Sequence, residues 1–324
     1  MEFRAGRTRL LGRPYHLFVD PINICNLHCP LCPTGAGLQG RKKGKMPPAL
    51  FDTVLRELGT FARQMLLYNW GEPLLHEHIH DYVRAAGERR IETWLSTNLS
   101  VNLPEEAAAE MVASGLARLI LSLDGTTQES YRTYRVGGDF HRVVSNAKLL
   151  HRTKQRMNSP LPRVTLQFLV FRHNVQEVPR VKALASEIGA DEVSILGGYL
   201  GGKEQTPFTG SANTASLRDT WLVNDPAWKG EFDYFRPDGY LSPHPCYFLW
   251  KTATVNWDGS VSPCCCVYDE STDFGNLLEQ PFGAIWNSAR YRSARARFAR
   301  GRHAGGPQNI CHACRVFRPS VERD

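Results

Sequence analysis

The sequence predicts an α/β fold: a partial TIM-like parallel barrel of six (β/α) units, followed by a smaller cysteine-bearing unit. Three observations predict it. From about residue 15 to 200, six short apolar runs alternate with segments whose apolar residues recur every third or fourth position. Several of the runs are apolar throughout, as strands are when helices cover both faces of a parallel sheet. After residue 197 the alternation stops, and six of the nine cysteines lie between residues 246 and 314.

The first strand is read in "YHLFVDPI", and "PALFDTVLRELGTFA" follows as an amphipathic helix. "QMLLYN" gives the second strand, with a helix around 76–88 after it. "IETWLST", a helix from Pro104 and "ARLILSLD" continue the series. A helix around 141–155, "RVTLQFLVF", a helix over 175–188 and "DEVSILG" complete it. A barrel of this type carries its site at the C-terminal ends of the strands.

Four segments are expected: an N-terminal extension over 1–14, the barrel over 15–200, a linker or substrate loop over 201–240, and the smaller unit over 241–324. The linker is rich in Gly, Ser and Thr. Of the 324 residues 42% are hydrophobic and 22% charged, as in an ordinary globular protein. The N-terminal "MEFRAGRTRLLGRPYH" has arginines but no apolar run behind them, so it is not a secretory signal. No stretch has the apolar length of a membrane span. A cytoplasmic location is expected, where cysteine clusters read as metal or catalytic sites. The net charge of +7 is spread over scattered arginines. "GRKKGK" (40–45) and the arginine-rich stretch near 290–303 read as solvated surfaces, the latter with Tyr291 and Phe298 turned inward. Neither has the interleaved aromatics of a nucleic-acid platform, and a nucleic-acid partner is not expected.

"NICNLHCPLCP" places Cys25, Cys29 and Cys32 directly after the first strand. Three thiolates at this spacing can bind three corners of a [4Fe–4S] cube and leave one iron open. A zinc site completed by His28, or buried free thiols, fits the same residues. With "NWGEPLL" after the second strand, "LSTNLS" after the third and "LSLDG" after the fourth, the chain resembles the radical S-adenosylmethionine (SAM) enzymes. It departs from the family at Leu31, where an aromatic residue often packs on the adenine.

The resemblance implies reductive cleavage of SAM to a 5′-deoxyadenosyl radical that abstracts a hydrogen atom. A reductant such as flavodoxin or ferredoxin supplies the electron. It assigns Cys25, Cys29 and Cys32 to the cluster, and Glu72 to the methionine ammonium, with Gly71 permitting close backbone approach. Asn98 and Ser122 are expected at the ribose or carboxylate. Arg135, in "YRTYRVGG", is expected at the SAM carboxylate. Gln167 is a further SAM contact or a satisfied polar group inside the barrel.

Cys246 is followed after twelve residues by Gly259 and after four more by Cys264, and "NICHAC" later supplies Cys311 and Cys314. Four thiolates can close a second cluster or an all-cysteine zinc site. "VNWDGSVSPCC", "FGNLLEQPFGAIWNS" and the terminal CxxC resemble the SPASM/twitch extension of radical SAM enzymes, which implies one auxiliary [4Fe–4S] cluster on Cys246, Cys264, Cys311 and Cys314. Cys265 and Cys266 are surplus, either packing residues or hydrogen donors to a substrate radical.

Three function classes follow. The cysteine layout resembles twitch-type alcohol dehydrogenases, so the first expectation is oxidation or epimerisation of a small hydroxylated molecule such as an aminocyclitol or aminoglycoside. A peptide-modifying maturase is the alternative; about fifteen residues precede the first strand, where many maturases carry a leader-binding domain. A non-catalytic iron–sulfur or zinc scaffold would leave the GEP segment unexplained.

Overall fold

The structure is a computed structural model and describes residues 2–38, 40–198, 219–228, 242, 244–299, 306–314 and 316–318. Six parallel strands follow in chain order: β1 His16–Val19, β2 Gln64–Leu66, β3 Glu92–Thr97, β4 Arg118–Ser122, β5 Arg163–Val170 and β6 Glu192–Gly197. Each pairs in parallel with the next, the simplest order for successive β–α units. The helices that return the chain are α1 Pro48–Leu58, α2 Ile79–Glu88, α3 Glu105–Ala113, α4 Gln128–Tyr134, α5 Phe140–Arg156 and α6 Val178–Ile188.

Local chemistry sets their limits. Helix α1 starts at a proline pair, where the missing N–H costs nothing, and buries Leu50, Phe51, Val54, Leu55 and Leu58 on one stripe. The Asp139 carboxylate accepts from the Arg142 N–H at the start of α5. Gly189, at φ +72°, closes α6 in the left-handed conformation. The short helix α4 was not expected from the sequence. A Thr127–Ser130 capping box nucleates it, and Tyr131 and Tyr134 turn inward from it.

The C-terminal part extends the barrel sheet instead of forming a sheet of its own. Strand β7 (Thr252–Val255) lies parallel to β1, with Leu17 beside Ala253 and Val19 beside Val255. Strands β8 (Ser260–Ser262) and β9 (Gly275–Asn276) continue antiparallel, giving one nine-stranded sheet with β1 near its middle. The N-terminal extension joins the same half. Leu10 is buried and exchanges two hydrogen bonds with the Asn287 amide, both 2.9 Å, while Trp250 and Trp286 donate to the carbonyls of Arg7 and Gly12. The expected linker over 201–240 falls outside the described residues except for 219–228.

Two basic segments expected at the surface are partly internal. Arg41 reaches the C-terminal hairpin, bonding Asp258 (2.8 Å), Ser260 (2.7 Å) and Asp273 (2.6 Å), with its side chain only 4% exposed. Arg295 is fully buried, donates to the carbonyls of Leu249 (2.8 Å) and Thr8 (3.0 Å), and lies over the Trp286 ring. Arg41 offsets desolvation with hydrogen bonds that only the folded chain supplies, whereas Arg295 keeps its Nη2 without a partner among the described residues and burial pushes its pKa down to about 9. Replacing Arg41 with Met should cost about 3 kcal/mol, the low end for breaking a buried pair, because Asp258 keeps contact with water. Thermal denaturation reads this directly, and an unchanged melting temperature would show that the clamp carries no stability.

Candidate active site

The loop after β1 folds over the strand ends and turns Cys25, Cys29 and Cys32 toward one cavity of about 220 Å³. The Cys32 N–H donates to the Cys29 carbonyl (3.1 Å), and the Leu27 N–H to the Cys25 sulfur (3.4 Å). Gly35 makes the turn possible: a Cβ there would stand 2.4 Å from the Cys29 nitrogen. Gly71, Glu72, Asn98, Ser122 and Arg135 line the same cavity, so strand ends far apart in sequence meet at the three thiols. Gln167 is not in the lining. Leu169, two residues further along the same face of β5, occupies the mouth instead.

Glu72 is 2% exposed, and its carboxylate accepts from Thr97 Oγ1 (2.7 Å), Asn98 N–H (2.8 Å) and Leu74 N–H (3.1 Å). Burial pushes its pKa up, and these three donors pull it back. Gly71 serves a crossing of two loops: an added Cβ would lie 1.8 Å from the Ile22 carbonyl oxygen, so the close approach is to the cysteine loop itself. The Asn98 amide donates to Asn26 Oδ1 (3.0 Å) and sits 3.7 Å from the Cys25 sulfur.

Arg135 caps α4 and donates through Nε to Asp124 (2.5 Å). Burial alone would lower its pKa; the Asp124 carboxylate beside it holds the guanidinium charged. Asp124, fully buried after β4, also accepts from the Leu169 N–H (2.8 Å). Burial pushes Cys25 up to about 12 and Cys29 up to about 11, so the protein alone holds them as thiols, and taking up a cationic cluster would release protons.

Asp124 was not singled out by sequence, although "LSLDG" contains it. Nor were Tyr134 and Trp70 of the cavity wall, nor Asp20, which accepts from the Trp70 N–H (3.2 Å) and whose carboxyl burial pushes up to about 7. Leu31 turns away from the cavity into a cluster with Leu27, Tyr134 and Phe171, and Tyr134 and Leu27 provide an apolar wall where an aromatic residue was expected.

A second, apolar cavity is enclosed by Cys246, Cys264, Cys311 and Cys314, all buried or nearly so, together with Cys266. The two surplus cysteines thus separate: Cys266 is in this wall and Cys265 is not. The Cys265 carbonyl accepts from the Asn69 amide (3.2 Å) at the edge of the first cavity. Trp70 bridges the sites, donating to the Val267 carbonyl (3.3 Å) and meeting Tyr268 edge-on at 5.3 Å. Among the described residues no three His, Cys, Asp or Glu side chains close on a single-ion position. Each cysteine set surrounds a space, as suits a cube that takes one thiolate per corner.

The profile of the radical SAM superfamily matches residues 19–198, more than half of the chain. This chain belongs to the radical SAM superfamily. A second profile, the SPASM iron–sulfur cluster-binding domain, matches residues 246–315. As a radical SAM enzyme with a SPASM domain, it has SAM and two [4Fe–4S] clusters as cofactors. Three thiols around the first cavity and four around the second fit these clusters, with no fourth cysteine among the described residues at the first to close its open corner.

Among curated proteins, the PqqA peptide cyclase of Gluconobacter oxydans is 28% identical over 286 residues, covering 85% of this chain and 76% of that protein. Among solved structures, Streptococcus suis SuiB bound to its precursor peptide SuiA aligns with a TM-score of 0.63 at 16% identity, covering 91% of this chain and 70% of SuiB. BtrN in complex with AdoMet and 2-DOIA aligns with a TM-score of 0.51 at 18% identity, covering 88% and 87%. Both structural likenesses concern the fold. No helix among the described residues is long and apolar enough to cross a membrane.

Proposed function

We propose that this radical SAM enzyme oxidatively modifies a peptide, joining or desaturating it with loss of two hydrogens. The observation that carries this reading is the sequence relationship to a peptide cyclase across 85% of the chain. SuiB, which shares the fold, binds a precursor peptide. This displaces the small hydroxylated molecule that the cysteine layout alone favoured, because the peptide cyclase is related in sequence along most of the chain, whereas BtrN and SuiB alike share the fold.

With SAM bound, the first cluster would supply a one-electron source and a carbon-radical hydrogen abstractor. The chain's own residues do the holding. Cys25, Cys29 and Cys32 would ligate the cluster. Glu72 would accept from the SAM ammonium, and its three protein donors fix it in place and oppose the upward push of burial on its pKa. Arg135, oriented by Asp124 through Nε, would offer its remaining donors to the SAM carboxylate. Asn98 and Ser122 would meet the ribose. Tyr134, Leu27 and Leu169 give the cavity its apolar wall. Cys246, Cys264, Cys311 and Cys314 would ligate the auxiliary cluster. Gln167, paired with Ser122 across β4 and β5 but outside the cavity lining, is left to the barrel interior.

The test is anaerobic incubation of the reconstituted enzyme with SAM, a low-potential reductant and synthetic peptides from short reading frames flanking its gene. A parallel series uses aminocyclitols. Mass spectrometry should find a peptide lighter by two hydrogens, formed together with 5′-deoxyadenosine. An aminocyclitol oxidised while every peptide is returned unchanged would overturn the reading.

A further inference from the structure

The helix Ala289–Phe298 forms one side of the second cavity, through Phe298. It is fastened to the turn Ile310–Ala313, which carries Cys311. Ser293 Oγ donates to the Pro307 carbonyl (2.9 Å), and Asn309 donates to the Arg290 carbonyl (3.3 Å). Arg297 stands on the last turn of this helix, next to Phe298. Its Nε is buried and has no hydrogen-bond partner among the described residues. Its positive charge reaches the Cys311 and Cys314 thiols.

A buried guanidinium N–H without an acceptor is costly, and structures seldom keep one. The cavity that the same helix walls through Phe298 is apolar, and its cysteines are suited to ligate a cluster. A cluster held by four thiolates is an anion, and each electron it accepts adds negative charge in surroundings that solvate charge poorly. The missing acceptor and the missing countercharge are therefore complementary. Hydrogen bonds to sulfur and local charge are the protein's levers on the potential of such a cluster.

We propose that Arg297 is the countercharge of the auxiliary cluster and raises its reduction potential, so that this cluster, more than a bare apolar cavity would allow, can take up an electron. Arg297 is a tuning residue and touches no substrate. The role depends on the cofactor set alone and holds whichever substrate the barrel takes.

The experiment uses the full-length chain with Cys25, Cys29 and Cys32 replaced by alanine, so that only the auxiliary cluster is titrated. Arginine, Arg297→Lys and Arg297→Gln forms are reconstituted, assayed for iron and followed by electron paramagnetic resonance in a redox titration. The Gln form should show about a tenfold lower reduced-to-oxidised ratio at fixed potential, a fall of about 59 mV for one electron. The Lys form should keep most of the arginine value. An unchanged potential in the Gln form overturns the proposal, and so does an equal fall in both variants, which would mark a packing effect. If the Gln form loses its iron while the Lys form retains it, the countercharge is needed for assembly and the proposal stands. Loss of iron in both forms overturns it.

Discussion

With Cys25, Cys29 and Cys32 all replaced by alanine, the reconstituted protein is expected to retain about half of its iron and to form no 5′-deoxyadenosine from SAM. Two cubes hold about eight irons, and only one set of ligands is removed. The auxiliary cavity shares no side chain with the first, so its four thiols should load independently. Iron analysis reads the first outcome and chromatography of the nucleoside products the second. Full iron content in this variant would remove the loop after β1 as a cluster site.

Replacing Glu72 with alanine should lower SAM affinity about ten- to a hundredfold, the worth of one charge-assisted hydrogen bond of about 1.5–3 kcal/mol. A local cost comes with it. The Thr97 hydroxyl and the N–H groups of Asn98 and Leu74 all lose their acceptor, so the loops after β2 and β3 should also loosen. The cluster thiols do not depend on Glu72, so iron content should stay near the wild-type value. Calorimetric titration of the reconstituted variant with SAM makes the measurement. Wild-type affinity would place the ammonium elsewhere.

The six strands and the cysteine loop were legible because they rest on local patterns: runs of apolar residues, cap residues and the spacing of three thiols. Contacts that join distant parts of the chain were not legible. Arg41 and Arg295 sit in stretches that read as charged surface, and their interior character depends on groups such as Asp258 and Asp273, more than two hundred residues from Arg41. The smaller unit was legible from its cysteines, but the parallel pairing of β7 with β1 that joins it to the barrel sheet has no local signal. Asp124 was visible as a letter of "LSLDG", but its partners, Arg135 and the Leu169 N–H, meet it only after α4 and β5 have folded back. Gln167 read from sequence as either a SAM contact or a satisfied barrel residue, because alternation tells which face a residue occupies and nothing of what shares that face.

The pairing of β7 with β1 has a consequence for how the two cysteine sets hold their places. The chain reaches Cys25 beyond the C-terminal end of β1, while β8 runs back along β7 and delivers Cys264 toward the other end of the pair. Four paired residues lock the two strands side by side. Two domains joined by a hinge would let the cysteine sets drift apart with every thermal excursion. Here they hang from one hydrogen-bonded ladder, and separating them means tearing the middle of the sheet.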